Sequence, residues 1–390
     1  MIARALAAHS PRAVRDALRA RGWDEVKADA AAGALRPAAV ELVGLEMGTV
    51  MALLGHAQQL GLEILTGDDW AIVAGSEARL GALARPWTVP PELSEVAERV
   101  GRALTPEAPT HWTIRQRSLS LARPLLFGIL NVTPDSFSDG GKFLSPDAAL
   151  AQADRLLAEG ADVLDVGGES TRPGSEPVPE AEELARVLPI VEALVRRHPG
   201  VPVSVDTVKA GVARSVTAAG ASIINDVSGG RLDPAMHRTV AEAGAGFVLM
   251  HSRGTVSTMA RLDHAEYAPD VVVGVREELR ALYEQALAAG MTPDQVVLDP
   301  GFGFAKTGEQ NLLLLDQLGT LLTLGRALLV GPSRKRFLGS VTGREVADRD
   351  AATAAACVVA YERGARLFRV HHVGMARDAL AVAHAVRGGS

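Results

Sequence analysis

The chain has 390 residues, of which 47% are hydrophobic and 22% charged, enough apolar material for one large core and an appendage. A formal net charge of −6 gives no electrostatic reason to expect nucleic acid as a partner. No apolar run approaches the roughly 20 residues of a membrane span, and a single cysteine, Cys357, excludes an intrachain disulfide.

The N-terminus, MIARALAAHSPRAVRDALRARGW, lacks the compact apolar segment and cleavage site of a signal peptide. Asp16, Asp24 and Glu25 argue for an ordinary amphipathic helix there, and the protein is expected to be cytoplasmic. Residues 1–105 read as a small α/β unit. Helical spacing is expected over 40–61. Two short strands, LEILTG and WAIVAGS, flank the turn signal Gly67-Asp68-Asp69. A helix, ELSEVAERVGRAL, then starts at Pro90 and Pro91. This unit shows no cluster of titratable residues and no Gly-rich phosphate loop, so packing or oligomerisation is its expected role. Residues 106–125 form a linker and a short hairpin, HWTIRQRSLSLARP.

From residue 126 onward eight short apolar runs follow one another: LFGIL, DVLDVGG, VPVSV, SIIN, GFVLM, QVVLD, ALLVG and RLFRV. Helical segments such as SPDAALAQADRLLAEG lie between most of them, and ATAAACVVAY predicts a buried helix around Cys357. Strand alternating with helix implies parallel strands with right-handed crossovers. Eight such units over 126–390 predict an α/β fold, a (β/α)8 TIM barrel of ordinary size, about 250 residues, carrying the small N-terminal α/β appendage. A doubly wound open sheet is the alternative, disfavoured because no GxGxxG follows the first strand.

The runs end in Asn131, residues 169–172, Asp206, Asn225, His251, Asp299, residues 333–335, and Arg369 with His371. A barrel puts all eight ends on one rim, where active sites form. Each residue also has a plainer reading. Asp206 and Asn225 would cap helices, Asp299 would form a turn, Arg334 and Lys335 would be a solvated basic run, and His371 a structural donor. Gathered on one rim, they point to a ligand site instead. Asp206, Asp299 and Asn225 suit a flat heterocycle with N–H donors, because a carboxylate accepts parallel hydrogen bonds. Asn131, Thr171, Arg369 and His371 suit an anion, Arg supplying a fork. There is no zinc-type Cys/His spacing, no GxSxG elbow and no Walker A motif, so the anion is expected to belong to a small substrate.

LFGILNVTPDSFSDGG, ADVLDVGGESTRPGSEPV, VPVSVDT, IINDVSGG, LDPGFGFAKTGEQN, GPSRKRFLG and RVHHV, in that order over about 126–373, resemble dihydropteroate synthase. The resemblance implies a (β/α)8 barrel that joins p-aminobenzoate to 6-hydroxymethyl-7,8-dihydropterin diphosphate with Mg²⁺, releasing pyrophosphate, and that works as a homodimer. Position by position it implies pterin contacts at Asp206, Asn225, Asp299 and Lys335, with Lys335, Asp206 and Asp299 as the catalytic residues. Asn131 would meet both the diphosphate and Mg²⁺. Thr171, Arg369 and His371 would hold the diphosphate. Phe137, Arg172, Pro173, Phe304 and Ser333 would surround p-aminobenzoate, where sulfonamides also bind. Loops at about 132–144 and 169–178 would close over the site. The family commonly has Asp where this chain has His372. Two other classes share part of this pattern: a methyltetrahydrofolate-binding methyltransfer module, and an inactive regulatory paralogue.

Overall fold

The computed structural model describes residues 37–105, 109–132, 146–170 and 177–388, together with residues 15, 18, 19, 22, 24–28 and 31. It has two compact units, Met1–Glu107 and Ala108–Ser390.

In the first unit, β1 (Pro37–Val43), β2 (Glu63–Thr66) and β3 (Trp70–Ser76) form an antiparallel sheet of order β1-β3-β2. Helices α1 (Met47–Gln59), α2 (Glu77–Leu83) and α3 (Ser94–Leu104) accompany it. The helix expected over 40–61 is corrected at its start. Residues 40–43 belong to a strand, because Val40 and Leu42 alternate with exposed Glu41 and pair with Val73 and Ala71 of β3. The core of this unit is Val40, Leu42, Leu53, Val73, Leu80, Leu93 and Val100 with their neighbours.

The second unit opens with the expected hairpin, β4 (His111–Ile114) and β5 (Arg117–Ser120), turning through Arg115 at φ 54°. Eight parallel strands follow: β6 (Leu125–Asn131), β7 (Val163–Gly167), β8 (Val203–Asp206), β9 (Ile223–Asp226), β10 (Gly246–Met250), β11 (Val296–Asp299), β12 (Ala327–Val330) and β13 (Leu367–Val370). Each pairs with the next, and β13 pairs back onto β6, closing the barrel. The helices between them are α4 (Pro146–Ala158), α5 (Glu180–Arg197), α6 (Ala210–Ala218), α7 (Met236–Ala243), α8 (Val271–Ala288), α9 (Gly308–Asp316), α10 (Arg336–Thr342), α11 (Asp350–Glu362) and α12 (Val373–Val386). Outward strand residues such as Leu126, Leu130, Leu164, Val166 and Leu298 pack on this layer in one large cluster, which takes in Cys357.

Inward residues sort by height. Phe127, Val163, Ile223, Val248, Val297, Leu329 and Leu367 form an apolar floor with Trp112 and Ile114 of the hairpin. The hairpin therefore belongs with the barrel and plugs its N-terminal end. Trp112 donates through Nε1 to Gln295 O (2.8 Å), and Arg115 N donates to Gly244 O (2.8 Å). Gly246 makes room for the plug: a Cβ there would lie 2.5 Å from Ile114 and 2.8 Å from Trp112. With the bottom sealed by apolar side chains, the polar inward residues described below lie above this floor, toward the C-terminal mouth.

Candidate active site at the barrel mouth

Register fixes which side chains share a level. Asn131 pairs with Gly167, Gly167 with Asp206, and Asp206 with Asn225; Met250 pairs with Asp299. Gly167 holds the gap open, since a Cβ there would be 3.4 Å from Asn131 Oδ1 and 4.0 Å from Asp206 Oδ2.

Arg369 reaches inward from β13. Its Nε donates to Asp165 Oδ2 (2.6 Å) and its Nη2 to Asp206 Oδ2 (2.8 Å). Burial opposes the charge of this guanidinium, but Asp165 and Asp206 outweigh it and hold it protonated. Asn225 donates through Nδ2 to the same Asp165 oxygen (3.3 Å). The helix-cap reading of Asp206 and Asn225 is not realised: both point into the mouth. Burial pushes Asp206 up to about 7, Asp165 adding to the rise and Arg369 opposing it.

Asp299 keeps its turn role through one oxygen, Oδ1 accepting from Gly301 N (2.7 Å). Burial raises this carboxyl to about 6. Lys335 Nζ lies 3.8 Å from the centroid of the Phe304 ring, a cation–π contact. Burial, with Arg369 nearby, lowers Lys335 to about 8. Arg334 is half-buried rather than a free surface charge: its guanidinium grips Asp350 with two hydrogen bonds (2.7 and 2.8 Å).

Ser333 Oγ accepts from His371 N (3.2 Å), so its own hydroxyl hydrogen is free for His371 Nδ1 at 2.8 Å. The tautomer in which that hydroxyl donates to Nδ1 keeps the ring proton on Nε2, where it can donate to an anion. Burial and Arg369 depress His371 to about 3, so it does this as a neutral donor. His372 caps α12, its Nδ1 accepting from Met375 N (3.3 Å), an acceptor role an Asp would also fill. A cavity of about 350 Å³ beside the mouth is lined by Asn131, Arg155, Arg334, His371 and His372 among others.

Phe137, Thr171, Arg172 and Pro173 lie outside the described residues, as do most of the two loops. Among the described residues, no group of three or more His, Cys, Asp or Glu is placed to hold a metal. Asn131 is half-buried and contributes one neutral oxygen, a donor suited to a hard cation that keeps most of its ligands from water and phosphate.

Several residues of the mouth escape a reading of the strand ends. Asp165 is fully buried inside β7. Lys306, 3% exposed, donates to His251 Nδ1 (2.9 Å), Phe304 O (3.0 Å) and Gly301 O (3.1 Å), tying together the loop that carries Asp299 and Phe304. His251 Nε2 in turn contacts Glu278 Oε2 (3.1 Å), which Arg253 also binds. His251 thus serves as a strut between Lys306 and Glu278, and burial keeps it neutral, near 4. Lys306→Met is expected to leave three buried acceptors unpaired. The expected loss is at least about 2 kcal/mol, a fall in Tm of roughly 4–8 °C for a domain of this size. An unchanged melting curve would show that Lys306 does not hold this loop.

Comparison with known proteins places these observations. Residues 127–371 match the family model described as pterin binding enzyme. The dihydropteroate synthase of Mycobacterium leprae is 47% identical over 270 residues, covering 68% of this chain and 94% of that protein. The solved dihydropteroate synthase of Xanthomonas albilineans with 4-aminobenzoic acid is 45% identical, with a TM-score of 0.66 over 71% of this chain and 98% of that one. The same enzyme in complex with 7,8-dihydropteroate aligns at 40% identity, with a TM-score of 0.62 over 72% of this chain and 99% of that one. The chain belongs to the pterin binding enzymes and, within them, to the dihydropteroate synthase family.

Proposed function

We propose that this chain condenses p-aminobenzoate with 6-hydroxymethyl-7,8-dihydropterin diphosphate to give 7,8-dihydropteroate and pyrophosphate. The observation that carries the reading is the mouth itself. Two raised carboxyls, Asp206 and Asp299, an amide, Asn225, and two cations, Lys335 and Arg369, gather at this end of the barrel. Carboxylates and an amide oxygen accept from the N–H edge of a pterin, while Lys335 stands for the ring's carbonyl side.

In the reaction the arylamine nitrogen forms a bond to the pterin's exocyclic methylene. The C–O bond to diphosphate breaks, and the amine releases a proton. Positive charge developing on the methylene spreads into the electron-rich ring. The protein's part is to hold that ring between Asp206, Asn225, Asp299 and Lys335, and to stabilise the departing anion. Arg369, neutral His371 and Thr171 are the proposed diphosphate contacts. Asn131 would hold Mg²⁺, which when bound neutralises charge on the diphosphate. Phe304 and Ser333, with Phe137, Arg172 and Pro173, are the proposed surroundings of p-aminobenzoate. Phe304 touches Lys335 and Ser333 bonds His371, so that pocket would border both the pterin and the anion sides. A sulfonamide, bound by the Yersinia pestis enzyme at 41% identity, would compete there. The family resemblance adds a cytoplasmic homodimer to this proposal.

Pyrophosphate release is expected only with both substrates present and is expected to stop in excess chelator. Release without p-aminobenzoate would mean hydrolysis rather than condensation. Full activity in chelator would remove Mg²⁺ from the scheme.

A further inference from the structure

Strand alternation turns Val163, Asp165 and Gly167 of β7 to the barrel interior. Asp165 has no exposure, and it sits one level below the mouth, above the apolar floor. A carboxylate buried there is costly unless it is paired and hydrogen-bonded. Its Oδ2 takes two hydrogen bonds, from Arg369 Nε (2.6 Å) and Asn225 Nδ2 (3.3 Å). Its Oδ1 takes none among the described residues.

An asparagine amide can turn either its oxygen or its NH₂ toward a neighbour, and the neighbour decides. Beside a carboxylate oxygen that already accepts from Arg369, only the NH₂ is favourable; the other sense would set two acceptors 3.3 Å apart. One N–H of Asn225 Nδ2 is thereby committed downward, which turns the amide oxygen Oδ1 the other way, toward the mouth. Arg369 is fixed by the same residue. With Nε on Asp165 and Nη2 on Asp206, the guanidinium plane is set.

We propose that Asp165 is a positioning residue that sets the hydrogen-bond polarity of the pterin pocket. It forces Asn225 to face the ligand as an acceptor and aims Arg369 between Asp206 and the anion side. The ligand edge that meets Asp206 and Asn225 must then be a donor edge, such as the amino and ring N–H of an aminopyrimidine. A heterocycle with acceptors on that edge is rejected. This inference rests on the reading of the mouth as a pterin site.

Asp165→Asn tests it, because the replacement is isosteric and can offer either end of its amide to Asn225. The probe is 6-hydroxymethylpterin, titrated calorimetrically into the full-length protein, alongside steady-state kinetics with the diphosphate substrate. Pterin affinity is expected to fall at least tenfold, and the loss to appear in KM for the pterin substrate more than in kcat. In an Asn225→Ala background the same substitution is expected to cost less, because the amide it orients is gone. Unchanged affinity overturns the proposal, and so does an equal penalty in the two backgrounds. Should Asp165→Asn fail to fold by circular dichroism, Asp165→Ser gives the same readouts. Absence of pterin binding by the wild-type protein would sink the pterin-site reading itself, a result distinct from a variant that binds as well as wild type.

Discussion

Arg369→Met is expected to destabilise the barrel by about 3–5 kcal/mol, the usual cost of leaving one partner of a buried ion pair uncompensated. In a domain of this size that is a fall in Tm of roughly 6–20 °C. The reason is geometric. Asp165 is completely buried and Asp206 nearly so, and one guanidinium serves both, with Nε on the first and Nη2 on the second. Without it, the carboxylates of these neighbouring strands lose their shared cation, and Asn225 is left as the one described side-chain donor to Asp165. The size of the effect also depends on pH, and the sign can be worked out. Burial and the Asp165 charge already raise Asp206 to about 7, from an ordinary carboxylate value of about 4 when unfolded. Removing Arg369 raises it further. The folded variant then binds a proton the unfolded chain has lost, so its stability declines as pH rises above about 4. The gap to wild type should be larger at pH 8 than at pH 5. Arg369→Lys should recover only part of the loss, since a single ammonium lacks the fork that reaches both acids. Denaturant unfolding of the three proteins at the two pH values is the measurement. Equal stability of Arg369→Met and wild type at pH 8 would mean the two acids are relieved some other way.

The barrel was legible because each of its strands is buried on both faces and so reads as a continuous apolar run, broken by a polar residue where the strand leaves the core. Asn131, Asp206, Asn225, Asp299 and Arg369 are visible for that reason. Asp165 is not, because it lies inside the run DVLDVGG and its partners are 60 and 204 residues away in sequence. No local pattern distinguishes a carboxylate that turns into the barrel from one that merely interrupts a strand. Lys306 was hidden in a similar way. It follows a Gly-rich loop, where a lysine ordinarily reads as solvated, and only the fold brings His251 and two loop carbonyls to its ammonium. Glu278 on α8 looks like a surface charge until His251 and Arg253 meet it. The start of the N-terminal unit failed for the opposite reason. Val40, Val43 and the residues after them fit a helical period, but pairing with β3 selects the two-residue period of Val40 and Leu42.

The affinity of the ligand-free protein for 6-hydroxymethylpterin is expected to follow a bell-shaped pH curve. It should rise through about pH 6–7 and fall above about 8. The lower limb belongs to Asp299 and Asp206, raised by burial to about 6 and about 7. Each must be ionised to accept from the ring's N–H groups. Between pH 7 and 6 affinity should therefore drop about tenfold per unit, and more steeply below 6, where two protons compete with the ligand. Asp206 is faced by Arg369, Asp165, Glu183 and Asp226, and Asp299 by Lys335, Lys306 and Arg369, so neither carboxyl of the lower limb titrates as an isolated group. The upper limb belongs to Lys335, lowered to about 8 by burial and Arg369, whose charge is lost as pH rises. Asp206→Asn and Asp299→Asn should each remove one proton from the lower limb. An amide also turns an N–H toward a donor edge where a carboxylate accepted, so each should weaken pterin binding by about 1.5–3 kcal/mol, roughly ten- to hundredfold. Circular dichroism should be unchanged, since both side chains stand above the apolar floor rather than in it. The pterin without diphosphate is the right probe, because the phosphates titrate in the same range. A flat profile from pH 5 to 9 would take both carboxylates out of the ring site; an Asp→Asn variant that binds as tightly as wild type would remove that one and leave the other carboxylate, Asn225 and Lys335 to hold the ring.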